Sequence, residues 1–261
     1  PPEVERMVAL LHDALAAGAL GFSTSAAPTH NDGDGRPVPS RAAEPAELLA
    51  LAGAVGRHPG TTVELILAGC LNGFTDAEVD LMTGISLAAG RPVNWNVLAV
   101  NARDPEPHRA QLAVSDRAAL AGARVVALTL PQAMRIRLSF LSGFVLDGLP
   151  GWRDVLALPV EARLAALADP GVRARLEAGA RSEEAGILRG LAQWEHLELA
   201  ETFSPATEQW MGRRVGEVAA ATGRTPFDAL LDVVGQDRLR TALRPPGGHL
   251  TPGDWAARIE V

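Results

Sequence analysis

The segment HNDGDGRPVPSR, residues 30–41, packs His30, Asn31, Asp32, Asp34, Arg36 and Arg41 into a single loop. Imidazole and guanidinium groups so placed can hold or polarise a ligand, which makes His30 and Arg36 candidate substrate contacts. Asn-Asp-Gly and Asp-Gly also form turns, so a solvated turn accounts for the same residues. An EF-hand does not, because no acidic residue falls twelve positions after the first Asp. A second candidate is Glu64, set in the apolar run Val63, Leu65, Ile66, Leu67. A carboxylate in such a strand needs an ion-pair partner, for which Arg91 and Arg124 are candidates, or a metal. Asn94 and Asn96 alternate with Val93, Trp95 and Val97, so both side chains fall on one side of a strand. Carboxamides there demand partners, which substrate or water would supply. Arg135 and Arg137, in PQAMRIRLSF, can grip a carboxylate bidentately or simply sit at the surface.

Much chemistry is closed. The sequence holds no Lys and no Tyr, which excludes a P-loop, a Schiff-base lysine, a Ser-Lys dyad or a carboxylated lysine within these residues. Ser23 and Ser25 lie outside any Gly-x-Ser-x-Gly elbow. His12, His58, His108, His196 and His249 are isolated along the chain, and Cys70 is the one cysteine, with no His nearby. A lone cysteine forms no intrachain disulfide, and a cytoplasmic setting is the expectation. A net charge of −7 gives a nucleic-acid partner no support. No run of eighteen apolar residues appears, so no membrane span is expected.

The elements that would position these residues repeat. An Ala/Leu-rich helical stretch, then Gly, then a short apolar strand recurs at residues 14–25, 86–97 and 119–130, with a variant at 54–67. Glycine accepts the left-handed conformation that ends a helix, and apolar β-branched runs suit strands buried in a parallel sheet. Strands are predicted near Leu20–Ser25, Thr62–Leu67, Pro92–Leu98 and Arg124–Leu130, with a fifth near His196–Glu201. Helices should start at Glu44-Pro45, at Thr75 with Asp76 and Glu78, at Asp104-Pro105, and at Thr225-Pro226. Between Pro131 and Trp194 the rhythm breaks into short helices divided by Pro and Gly. The tail PPGGHLTPG, residues 245–253, reads as loop.

The segments DALAAGALGFSTSAAPTHNDGDGRPVPSRAAEPAELLA (13–50), LPGWRDVLALPVEARLAALADPGVRARLEAG (149–179) and MGRRVGEVAAATGRTPFDALLDVV (211–234) resemble, in that order, the N-acyl-D-amino-acid deacylase branch of the amidohydrolases. The resemblance implies a (β/α)8 barrel that hydrolyses an amide with zinc-bound water and a carboxylate proton shuttle. It implies that this chain is a central portion of such a protein. The family's HxH pair would lie upstream, its Ser-Asp motif downstream, and the remainder of the barrel would be the chain's partner. Within the covered part, Glu64 falls where the family has a metal-ligand His, and Asn96 and Val97 fall on its Ser-His dipeptide. Leu130, Pro131 and Gln132 replace its Tyr-Pro-Tyr. Glu64 can ligate zinc through oxygen, whereas Val97 cannot.

The expectation is thus an α/β protein: a partial TIM-type barrel of about five parallel strands with a helical insertion after the fourth. Residues 1–130 would form central βα units, 131–194 the insertion, and 195–261 a later barrel strand, helices and tail. The function expected is metal-dependent amide hydrolysis of an N-acyl amino acid or related small molecule. Alternatives are a non-catalytic barrel that binds such a molecule and a complete five-stranded α/β domain.

Overall fold

A computed structural model describes residues 1–132, 135–246 and 251–261. The chain forms two units: Pro1–Pro28, Val38–Gln132 and Leu250–Val261 make the first, Thr29–Pro37 and Ala133–His249 the second. Residues 247–250 of the predicted 245–253 loop, His249 among them, lie outside the described residues. Among the described residues, no helix is long and apolar enough to cross a membrane.

The first unit runs α1 (Pro2–Ala16), β1 (Gly21–Ser25), α2 (Pro45–Gly56), β2 (Thr62–Ile66), α3 (Gly69–Asn72), α4 (Asp76–Ala89), β3 (Val93–Asn96), α5 (Glu106–Leu120) and β4 (Val125–Leu128). The four strands are all parallel and lie in chain order. Such a sheet winds in one direction and has no point where the order reverses, unlike a doubly wound nucleotide-binding sheet. Right-handed crossovers then place every connecting helix on the same face. That face is dry: Val63, Leu65, Val93, Trp95 and Val125 are buried with Leu48, Val55, Val79, Met82, Ile85 and Val114 from α2, α4 and α5. Phe74 meets Trp95 edge-on at 4.9 Å. The helix starts follow the local chemistry. Thr75 and Glu78 close a reciprocal capping box on α4, and Gly90 ends it in the left-handed region.

The second unit contains α6 (Arg153–Leu156), α7 (Val160–Ala168), α8 (Pro170–Arg181), β5 (Glu198–Glu201), α9 (Val215–Thr222), α10 (Pro226–Gln236) and β6 (Ala242–Arg244). Its core stacks Trp152 on Trp194 at 5.6 Å, with Phe227 5.0 Å from Trp194. The short helices predicted after the fourth strand are present. The fifth strand is where expected but is not a fifth parallel member. It pairs antiparallel with β6, Leu199 opposite Leu243, in a separate two-stranded sheet. A short apolar segment reads as strand whichever partner it takes, and β6 is too short to announce itself. The tail also departs from the expected loop. Thr251 and Asp254 cap α11 (Pro252–Glu260), which belongs to the first unit and whose Arg258 donates to the Leu130 carbonyl at 3.0 Å.

Two features of the framework have measurable consequences. A Cβ on Gly21 would lie 2.0 Å from the Thr62 carbonyl oxygen, so Gly21→Ala must push β1 off β2. We expect a loss of about 1–3 kcal/mol in urea unfolding. In the second unit, Arg173 donates to Asp228 at 3.1 Å and pairs with Asp232 at 2.8 Å. Burial raises the Asp228 carboxyl, but hydrogen bonds from Arg173 and Thr225 outweigh it and hold the group below its ordinary value. A depressed carboxylate favours the folded state above its unfolded pKa, about 3.9, and that gain disappears as pH falls through the folded value. Asp228→Asn should therefore lower the unfolding midpoint near neutrality, with the difference from wild type closing in acid.

Candidate functional site

Strand register sorts the polar residues. Gly21, Ser23 and Ser25 align with Thr62, Glu64 and Ile66, and Glu64 aligns with Asn94, which in turn aligns with Val126. Since alternate residues point to opposite faces, Ser23, Thr62, Glu64, Asn94 and Asn96 share the face opposite the α2–α4–α5 core. On β2 and β3 the burial alternates accordingly, half-buried Thr62, Glu64, Asn94 and Asn96 taking turns with fully buried Val63, Leu65, Val93 and Trp95. The Asn96 carboxamide donates to the Glu64 carboxylate, and Asn94 Nδ2 donates to Thr62 Oγ1 at 3.1 Å. The structure thus brings together three residues chosen from the sequence, and answers the question of Glu64's partner with a neutral one. Among the described residues, neither Arg91 nor Arg124 forms an ion pair with it. Arg91 instead donates to the carbonyls of His58 and Gly90.

His30, Arg36 and Arg135 belong to the second unit. The loop carrying the first two is a self-contained turn. Asp32 Oδ1 accepts from the backbone N–H of Asp34 at 2.9 Å and of Arg36 at 2.8 Å, and Gly35 takes a positive φ of 73°. Arg36 is exposed and pairs with exposed Asp34 at 3.8 Å, and His30 is half-buried. Arg135 is exposed; its neighbour Arg137 pairs with Glu201.

Two groups escaped the sequence reading. Asp147, buried, accepts from Asn31 Nδ2 at 2.8 Å through Oδ2, while its Oδ1 has no partner among the described residues. It lines a cavity of about 40 Å³ with Asp32, Ser142, Arg153 and Arg163, space for a water or two. Arg163 is itself buried and gives its N–H groups to the carbonyls of Phe140, Leu141 and Leu158, and burial pulls its pKa down. With two guanidinium groups and two carboxylates on its walls, this cavity favours neither a cation nor an anion. The second group is a chain of hydrogen-bonding distances from Arg57 to His12, 3.3 Å, and from His12 to His58, 2.8 Å. It joins α1 to the end of α2, ahead of β2, and so lies away from the C-terminal ends of the strands. Isolation in sequence hid both, because each pairs residues more than forty positions apart.

Zinc takes three or four nitrogen, sulfur or oxygen donors. Among the described residues, no group of three or more His, Cys, Asp or Glu comes together. Glu64 with Asn96 offers one carboxylate and one amide, so the residues present do not fit zinc on their own. Cys70 adds nothing, since it is buried and its Sγ accepts from the Leu67 N–H at 3.3 Å. Burial pushes its thiol up to about 11, and a protonated thiol is a poor nucleophile and metal ligand. A thiol reagent at mildly alkaline pH should label Cys70 rapidly in denaturant and hardly at all in the native chain.

No family model and no curated protein matches the chain. One solved structure that does is the N-acyl-D-glutamate deacylase of Bordetella bronchiseptica, complexed with zinc and a phosphonate inhibitor that mimics the tetrahedral intermediate. The likeness has a TM-score of 0.45 and 19% identity, over 93% of this chain and 38% of that one. At that level the comparison fixes neither the closure of the sheet nor an activity.

Proposed function

We propose that the polar face of the four-stranded sheet is a substrate-binding surface, with Glu64, Asn94 and Asn96 as its contacts, in a protein that hydrolyses N-acyl amino acids or related amides. The observation that carries the binding part is the Asn96–Glu64 hydrogen bond on the face away from the helical core. In βα proteins, ligands sit toward the C-terminal ends of parallel strands, and Asn96 is the last residue of β3. The hydrolase part rests on the ordered sequence resemblance through residues 13–50, 149–179 and 211–234. That resemblance assigns the HxH pair and the proton-shuttling Asp to segments other than these residues. The work of this chain is accordingly to bind and orient. The two carboxamides offer N–H donors and C=O acceptors to an amide group, and Glu64 offers an acceptor.

The lack of a three-donor group among the described residues favours a second reading, a binding protein without turnover. Amide hydrolysis and zinc content, measured on the protein with whatever its gene encodes on either side, separate the two. For the hydrolase we expect Glu64→Gln and Asn96→Ala to raise KM about five- to tenfold, with bound zinc unchanged. Zinc lost together with the Glu64 side chain would make that residue a metal ligand and overturn its assignment as a substrate contact. Binding of N-acyl amino acids without hydrolysis, zinc added, would establish the second reading.

A further inference from the structure

We propose that the ligand of this face carries a protonated nitrogen, an ammonium or guanidinium group, seated on Glu64. The inference deepens the binding reading above and rests on it. Glu64 is half-buried at the middle of β2, and its strand neighbours on that face are uncharged: Ser23, Thr62, Ile66, Asn94, Asn96 and Val126. Among the described residues, its one hydrogen-bonding partner is the Asn96 carboxamide. Among the described residues, no arginine or histidine forms an ion pair with Glu64.

A carboxylate drawn partly out of water is costly until an opposite charge joins it. Elsewhere this chain supplies such charges, Arg173 to Asp228 and Asp232 and Arg244 to Glu198, or several neutral donors, as fully buried Asp237 receives from the Phe203 N–H and the Thr207 and Thr241 hydroxyls. At Glu64 the chain provides an amide instead, which orients the carboxylate without neutralising it. Asn96, having given an N–H to Glu64, also presents a carbonyl oxygen. The pair therefore offers acceptors, and an ammonium group brings three donors and the missing charge. An anionic ligand would meet an unscreened negative charge there. The ligand class that follows is an N-acyl derivative with a basic side chain, in preference to an acidic one.

The test uses the 261-residue chain and three probes: Nα-acetyl-lysine N-methylamide, its Nε-acetylated and so uncharged counterpart, and Nα-acetyl-glutamate. Binding is followed by the backbone amide resonances of residues 62–66 and 93–96. We expect the cationic probe to bind at least about tenfold more tightly than the uncharged one, with added salt shrinking the gap. Glu64→Gln should abolish that preference, leaving the cationic probe bound no more tightly than the uncharged one. The wild-type comparison of the two lysine derivatives decides the matter even if the variant does not fold. Equal binding of both derivatives at these resonances would overturn the cation assignment and leave the binding surface standing. No shift at these resonances with any probe would overturn both. Zinc chloride that shifts the same resonances and displaces the lysine probe would assign Glu64 to a metal and overturn the organic cation.

Discussion

The first unit depends on the alternation of side chains across a parallel sheet whose connections all lie on one side. Because β1 to β4 follow chain order, the crossover helices have one face to cover, and they cover it with Val63, Leu65, Val93, Trp95 and Val125 at the bottom of the contact. The positions between these residues are thereby released from packing. Only there can the sequence place Thr62, Glu64, Asn94 and Asn96 without the several-kcal/mol cost, about 2–7 per group, of an unpaired polar group in a dry core. The apolar pattern and the polar site are thus one constraint seen from two sides. Shifting either β2 or β3 by one residue would bury Glu64 or Asn94 and expose a core residue. Register therefore holds the site as firmly as it holds the fold.

The same alternation decides what is legible in the sequence. Strand positions could be read because a strand between two βα connections needs a run of fixed composition, and β1 to β4 fall inside the predicted segments. Helix starts could be read where a side chain itself makes the cap, as Thr75 does for α4 and Thr225 for α10. Pairing partners could not. Leu199 and Leu243 look alike whether their strands run parallel or antiparallel, and orientation is decided by what β6 offers rather than by β5. The missed helix α11 had its signal in plain sight, Thr251 and Asp254 around Pro252, but the Pro/Gly density just before it argued for loop. Of the site, the alternation around Asn94 and Asn96 predicted their shared face. The bond from Asn96 to Glu64 needs the register between β2 and β3, which no single strand contains.

The second unit is built on a different economy. It has little sheet and relies on an aromatic cluster, Phe140, Trp152, Trp194 and Phe227, with cations placed to satisfy what short helices leave open. Arg163 shows the device. Turns and short helices leave backbone carbonyls without backbone partners, and a guanidinium with five N–H donors can serve three of them at once, here those of Phe140, Leu141 and Leu158. A chain without lysine does this well, because the planar fork of arginine addresses several carbonyls in fixed directions where an ammonium could not.

The contrast with Glu64 follows. Around Arg163, Arg173 and Arg244 the fold completes its own electrostatics, each buried or half-buried charge meeting a carboxylate or a set of carbonyls. At Glu64 it supplies only a carboxamide. An amide next to a carboxylate limits its motion but leaves most of its charge uncompensated, and that is a poor device for stability, since a Gln at the same position would hold the same bond network at less desolvation cost. The arrangement makes physical sense when the remaining compensation arrives from outside the fold. On the binding reading proposed for this face, the charge held at Glu64 is the one its ligand would neutralise.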